Sequence, residues 1–228
     1  MSNWLQTYFY NVLTLGWSGD LGWSQAILET LYMTSASALL GGALGLLLGT
    51  GLVITPTNGL IPHPRLNHFL SLITSIGRAL PFVIMVVIVS PLTASIVKTT
   101  IGPTAALIPL SLSIAPFFAR QVEVVFLSLD PGKVEAARAF GATDWHIIKN
   151  VYFHESRSEL VRVATVALIS LVGLTTMAGV IGAGGLGTTA IVTGYQRFEP
   201  DVMWVATGLI LILILFIQLS GNWLARRL

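Results

Sequence analysis

Long apolar runs separated by short polar stretches dominate this chain, and a helix needs about 20 predominantly apolar residues to cross a bilayer. Five runs meet that length, at 27–55, 67–90, 101–127, 159–182 and 201–224. They predict an all-α integral membrane protein with five transmembrane helices. In the first run Gly41, Gly45 and Gly49 recur every four residues, a small-residue face that lets two helices approach closely in lipid. Between the third and fourth runs the pattern changes to a polar segment, Asp130-Pro-Gly-Lys-Val-Glu-Ala-Ala-Arg-Ala-Phe-Gly141. Asp130 suits a helix N-cap, Pro131 the first helical position, and Gly141 the left-handed residue that ends a helix. The segment thus predicts a short helix with its own start and stop. Ala136, Ala137 and Ala139 give it a low surface and Glu135 and Arg138 offer charged contacts, as expected of a peg gripped by a partner outside the membrane.

Composition agrees with the pattern. Of 228 residues, 54% are hydrophobic and 10% charged, more apolar surface than a soluble domain hides. Cysteine is absent, which excludes disulfides and thiolate metal sites, and a net charge of +2 gives no reason to expect nucleic acid. No lysine or arginine precedes Arg65, so the start lacks the basic region of a signal peptide and the first run is expected to be retained. Lysine and arginine favour cytoplasmic loops. With the 56–66 loop, the 120–162 region and the C-terminal tail inside, the cytoplasm holds Arg65, Arg120, Lys133, Arg138, Lys149, Arg157, Arg162, Arg226 and Arg227. The outside keeps Lys98 and Arg197, while Arg78 lies within the second span. The N-terminus is therefore expected outside and the C-terminus in the cytoplasm. Residues 1–26, with Trp4, Tyr8, Phe9, Tyr10, Trp17 and Trp23, read as an external interfacial segment. Residues 27–228 read as the transmembrane unit, including a cytoplasmic loop over 128–157.

Several patterns carry no chemistry. Gly182-Ala-Gly184-Gly185-Leu-Gly187 satisfies the spacing of a dinucleotide fingerprint, but that fingerprint needs a preceding strand, a following helix and an acidic residue about 20 positions on. Here it follows an apolar span and reads as a glycine-permitted turn into an external loop. His63, His68, His146 and His154 lack metal-ligand spacing. None of the three lysines, Lys98, Lys133 and Lys149, completes a phosphate-binding G-x-x-x-x-G-K-[ST] loop, so ATP hydrolysis would have to come from another polypeptide. Arg78 requires an explanation, because a guanidinium at mid-span costs about 2.5–3.5 kcal/mol even on insertion scales. Either Pro81 breaks the helix or the helix begins in the cytoplasm and keeps Arg78 near the interface; an anchoring role is expected. For a pathway, Thr175, Thr176 and Met177 put polar and adaptable groups into the fourth run, with Met177 as the gate candidate. Met85, Ser111 and Ser113 are further candidates.

Glu135-Ala136-Ala137, three residues, then Gly141 resembles the E-A-A-x-x-x-G loop of bacterial ATP-binding-cassette importer permeases, and it falls where that family places it. The family pattern ends on I-x-L-P, where this chain has Val151-Tyr152-Phe153-His154. Arg78-Ala-Leu-Pro81-Phe82, Ala115-Pro116-Phe117-Phe118-Ala119-Arg120, Arg138-Ala-Phe-Gly141-Ala142-Thr143, and Leu171-Val172-Gly173 running on to Gly182–Gly187 are most similar to the methionine importer permeases. That resemblance implies a type I importer fold in the bacterial cytoplasmic (inner) membrane. It also implies a homodimer of five-span subunits, a pair of cytoplasmic ATPase subunits, an external methionine-binding protein, and no cofactor or enzymatic activity on this chain. Alternating access would carry D- or L-methionine, with Glu135, Ala136, Ala137 and Gly141 as mechanical contacts and Arg138 and Asp144 as flanking ion-pair partners. A permease for a polar amino acid or an osmoprotectant would share these features; an autonomous channel or membrane scaffold would share the spans but not the peg.

Overall fold

The computed structural model describes residues 9–19 and 22–228, and no strand occurs among them. The helices are α1 (Tyr10–Leu15), α2 (Trp23–Ile54), α3 (Pro64–Ala79), α4 (Phe82–Val97), α5 (Pro103–Leu127), α6 (Pro131–Ala139), α7 (Asp144–Ile147), α8 (Arg157–Val180), α9 (Gly185–Thr188) and α10 (Pro200–Arg227). A π-helical turn, Ile148–Phe153, precedes α8, and another, Thr189–Gln196, continues α9. Four helices, α2, α5, α8 and α10, are long and apolar enough to cross a membrane; α3 and α4 meet that measure only when taken together, and they are bent by 114° at their junction.

The glycine face of the first run sets the central contact. α2 packs along α5 so closely that a Cβ at Gly41 would lie 2.3 Å from Ile114 Cγ2 and one at Gly49 2.6 Å from the Ala119 carbonyl oxygen. Around this seam Met33, Leu110, Ile114, Phe118, Val122 and Leu171 form the buried core joining α2, α5 and α8. Large apolar side chains on the outer faces, such as Leu39, Leu47, Leu211 and Phe216, stay exposed, as expected of surfaces that meet lipid.

Three expectations need correction. The stretch 67–90 is not one helix: α3 and α4 meet at 114° across Leu80 and Pro81. Proline gives no N–H to the Gly77 carbonyl and pushes the residue before it out of the α region, and Leu80 is extended at ψ 121°. Each half has 16 residues, about 24 Å of helix, so neither alone spans the ~30 Å hydrocarbon layer. The second correction concerns the loop expected after residue 182. Gly182, Gly184 and Gly185 do make a turn at positive φ, but residues 185–196 beyond it are helical. Glu29 Oε2 accepts from the Gly185 N–H at 2.7 Å and Thr30 Oγ1 from the Leu186 N–H at 2.8 Å, satisfying the first orphan amides of that helix. Leu186 and Ala190 then bury against Trp23, Ala26, Val202 and Ala206.

Trp23 also departs from the interfacial reading. It is 5% exposed, and its Nε1–H donates to the Val12 carbonyl. Tyr10 and Trp17 are exposed; Trp4 and Tyr8 lie outside the described residues. The three segments expected on one side do converge. Arg138 reaches the Leu60 carbonyl at 3.4 Å, and Arg157 Nε donates to the Leu228 carbonyl at 2.8 Å. The 55–63 turn, the 128–157 loop and the C-terminus therefore share one end of the bundle.

Candidate docking and translocation site

The polar peg folds as its caps dictate. Asp130 Oδ1 accepts from the Gly132 N–H at 2.9 Å and Pro131 opens α6. At the other end Gly141 takes φ +77°. Its N–H donates to the Arg138 carbonyl and the Ala142 N–H to the Ala137 carbonyl, the paired bonds of a Schellman stop. A second cap follows at once: Thr143 Oγ1 accepts from the His146 N–H at the start of α7.

Three contacts brace this arm against the rest of its own chain. Val134 and Ala137 turn inward onto Leu60, Ile147 and Ile148. Arg138 bonds to the 59–60 backbone. Lys133 pairs with Glu155 across the π-helical turn. That hydrogen-bonded pair holds the Glu155 carboxyl below, and the Lys133 amine above, their ordinary ranges. Of the six peg residues picked out by the sequence, Ala137 is half-buried against this brace and Arg138, though exposed, bonds to it. Glu135, Ala136, Gly141 and Asp144 remain exposed.

The outward surface also contains two large side chains that sequence reasoning passed over. Phe140 is 91% exposed and Trp145 72% exposed, on either side of the Gly141 turn. In a chain this apolar an aromatic reads as core; the signal lay in their setting, inside the one segment too polar to be buried. An apolar anchor beside small residues fits the profile of a protein contact better than a solvated loop.

The pathway candidates are scattered. Thr175 is 1% exposed and donates to the Val172 carbonyl; Thr176 is half-buried and bonds the same carbonyl. Met85 and Ser111 are buried within the protomer. Met177 is the exception on α8, at 47% exposed. Ser113 belongs to a different group: it lines a cleft of about 310 Å³ together with Gly77, Arg78, Phe82, Phe117 and Ser170. Leu174, one turn along α8 from Met177, closes the same cleft.

This arrangement has known counterparts. Residues 41–228 match the model of the binding-protein-dependent transport system inner membrane component family. The chain is 40% identical over 200 residues to the probable D-methionine transport system permease protein MetI of Pasteurella multocida, covering 88% of this chain and 92% of that one. It is 40% identical over 218 residues to the methionine import system permease protein MetP of Bacillus subtilis, covering 95% of each. Its fold superposes on a chain of the MetNI methionine ABC transporter in an inward-facing conformation with a TM-score of 0.87 at 39% identity, over 90% and 94% of the two chains. An amino acid ABC transporter shares the fold at a TM-score of 0.75 and 16% identity, over 96% and 97% of the two chains. With the family model matching residues 41–228 and relatives about 40% identical along most of its length, the chain belongs to the family of binding-protein-dependent transport system inner membrane components.

Proposed function

We propose that this chain is the membrane-spanning subunit of an ATP-driven methionine importer of a bacterial inner membrane, working as a homodimer with two ATPase subunits and an external methionine-binding protein. The observation that carries the reading is 40% identity, over 95% of the chain, to a methionine import permease. The peg supports it, because a self-capped helix braced by three contacts to its own chain is suited to receive force and pass it to the spans. By the charge bias of its loops, the end holding the peg faces the cytoplasm. In this reading ATP-driven closure of the ATPase pair displaces α6. The brace to Leu60 carries the movement to the ends of α2 and α3, and the turn Ile148–Phe153 carries it to α8. Glu135, Ala136, Phe140, Gly141 and Trp145 form the contact surface, Asp144 flanks it, and Met177 gates the pathway.

The test is uptake of labelled methionine by bacterial cells that lack methionine importers of their own, supplied with this chain, its ATPase and its binding protein. Uptake that needs this subunit and is competed by unlabelled methionine, but not by glutamine or glycine betaine, is the expected result. Competition by glutamine or glycine betaine at the same excess would move the reading to another small solute.

A further inference from the structure

Arg78 has no hydrogen bond and no ion pair among the described residues, although it sits at the C-terminal turn of α3 beside the break. Its neighbours in the cleft fix its depth. Ser113 and Phe117 lie at the middle of α5, which runs Pro103–Leu127, and Ser170 lies at the middle of α8, which runs Arg157–Val180. The guanidinium therefore opens near the midplane of the bundle, where an unpaired charge is costly and marks a solute pathway when it faces a cleft. The anchoring role expected from sequence finds no anchor here.

The walls of the cleft supply the rest of a ligand site. Ser113 lines the cleft, and its Oγ is buried without a hydrogen-bond partner. Phe82, Ile114, Phe117 and Leu174 add apolar surface to the same cleft. The volume, about 310 Å³, falls at the lower end of the ~300–1,000 Å³ typical of small-molecule sites. A fixed fork of N–H donors matches a carboxylate, and the apolar surface suits an uncharged side chain.

We propose that Arg78, with Ser113, forms a carboxylate-binding subsite within the membrane, at which an amino acid solute pauses on its way through. This rests on the importer reading and adds the point that the permease itself, and not the external protein alone, recognises the α-carboxylate. The break at Leu80–Pro81 has a use in this arrangement: the helix stops short, leaving the Arg78 side chain at its end facing open space. Met177, the proposed gate, lies one turn of α8 beyond Leu174, which lines the cleft.

The experiment is methionine uptake into proteoliposomes holding the complete complex, comparing the unaltered chain with Arg78→Gln, Arg78→Lys and Ser113→Ala, each first checked for co-purification with the ATPase. Arg78→Gln is expected to assemble and to lose at least tenfold in uptake, Arg78→Lys, which keeps the charge but not the fork, to lose about three- to tenfold and stay above the Gln variant, and Ser113→Ala to lose two- to fivefold. Arg78→Gln uptake within twofold of the unaltered chain would overturn the proposal. Equal loss in the Gln and Lys variants, or failure of the Gln variant to assemble, would overturn it in favour of a structural arginine. If the unaltered complex imports no methionine, the importer reading fails on substrate, a result distinct from any of these.

Discussion

Glycines do opposite things in this chain depending on what lies opposite them, and α2 contains both kinds. A methyl group at Gly49 would meet the Ala119 carbonyl oxygen at 2.6 Å, whereas one at Gly42 meets nothing within 4 Å. A backbone carbonyl cannot swing aside as a side chain does, so Gly49→Ala forces the helices apart and should cost about 1–3 kcal/mol, the usual range for overpacking. Gly42→Ala should gain up to about 1 kcal/mol from helix propensity. Thermal unfolding of the detergent-solubilised protein, followed by circular dichroism, should therefore show a lower Tm for the first variant and an unchanged or higher one for the second; equal Tm values would remove the close seam from the account. Residue roles divide in the same way between legible and hidden. Asp130, Pro131 and Gly141 were readable because capping chemistry is local and leaves its residue types in fixed order. The exposure of Phe140 and Trp145 was not, since whether an aromatic is core or contact depends on what the rest of the chain leaves uncovered.

At the level of elements, the docking arm is held by a pair of charges whose strength varies with pH. Glu155 has a lowered pKa through its hydrogen bond and charge attraction to Lys133, so its contribution is present above the ordinary carboxylate value of 4.5 and is lost as pH falls through the lowered one. Lys133 has a raised pKa through the same bond, so its contribution is present below the ordinary value of 10.5 and is lost as pH rises through the raised one. The brace is thus at full strength between about 4.5 and 10.5. Limited proteolysis of residues 128–157 should be slow across that window and accelerate at its acid edge, and Glu155→Gln should remove the acid step while leaving the arm more readily cut at pH 7. A cutting rate indifferent to both pH and substitution would mean that Val134 and Ala137 hold the arm without help from the pair. The elements that sequence reading misjudged share a cause. An apolar run of 24 residues looks continuous by hydropathy, and only Pro81 hints at the 114° break. The helix at 185–196 was hidden because glycines at its start suggest a loop. Its stability comes from Glu29 and Thr30, which lie 156 residues earlier and leave no local trace.

For the molecule as a whole, the central claim is that force enters through one small helix and leaves as movement of the spans. The chain has no phosphate loop of its own, and its peg is mounted on the turn at Leu60 and on the Ile148–Phe153 segment that leads into α8. The fold was legible from the spans and the peg together, because lipid demands long apolar helices and a contact outside the membrane demands the reverse. The dimer and the partner subunits were legible only through resemblance, since a single chain does not reveal what covers its exposed surfaces. Gly141 is the position where the claim is most exposed: at φ +77° with nothing within 4 Å of an added Cβ, it tolerates bulk but not a β-branched backbone preference. The decisive measurement is the ratio of methionine imported to ATP hydrolysed by the reconstituted complex carrying Gly141→Val. The account predicts that ATP hydrolysis continues while import falls at least tenfold; an unchanged ratio at an unchanged rate of import would contradict it.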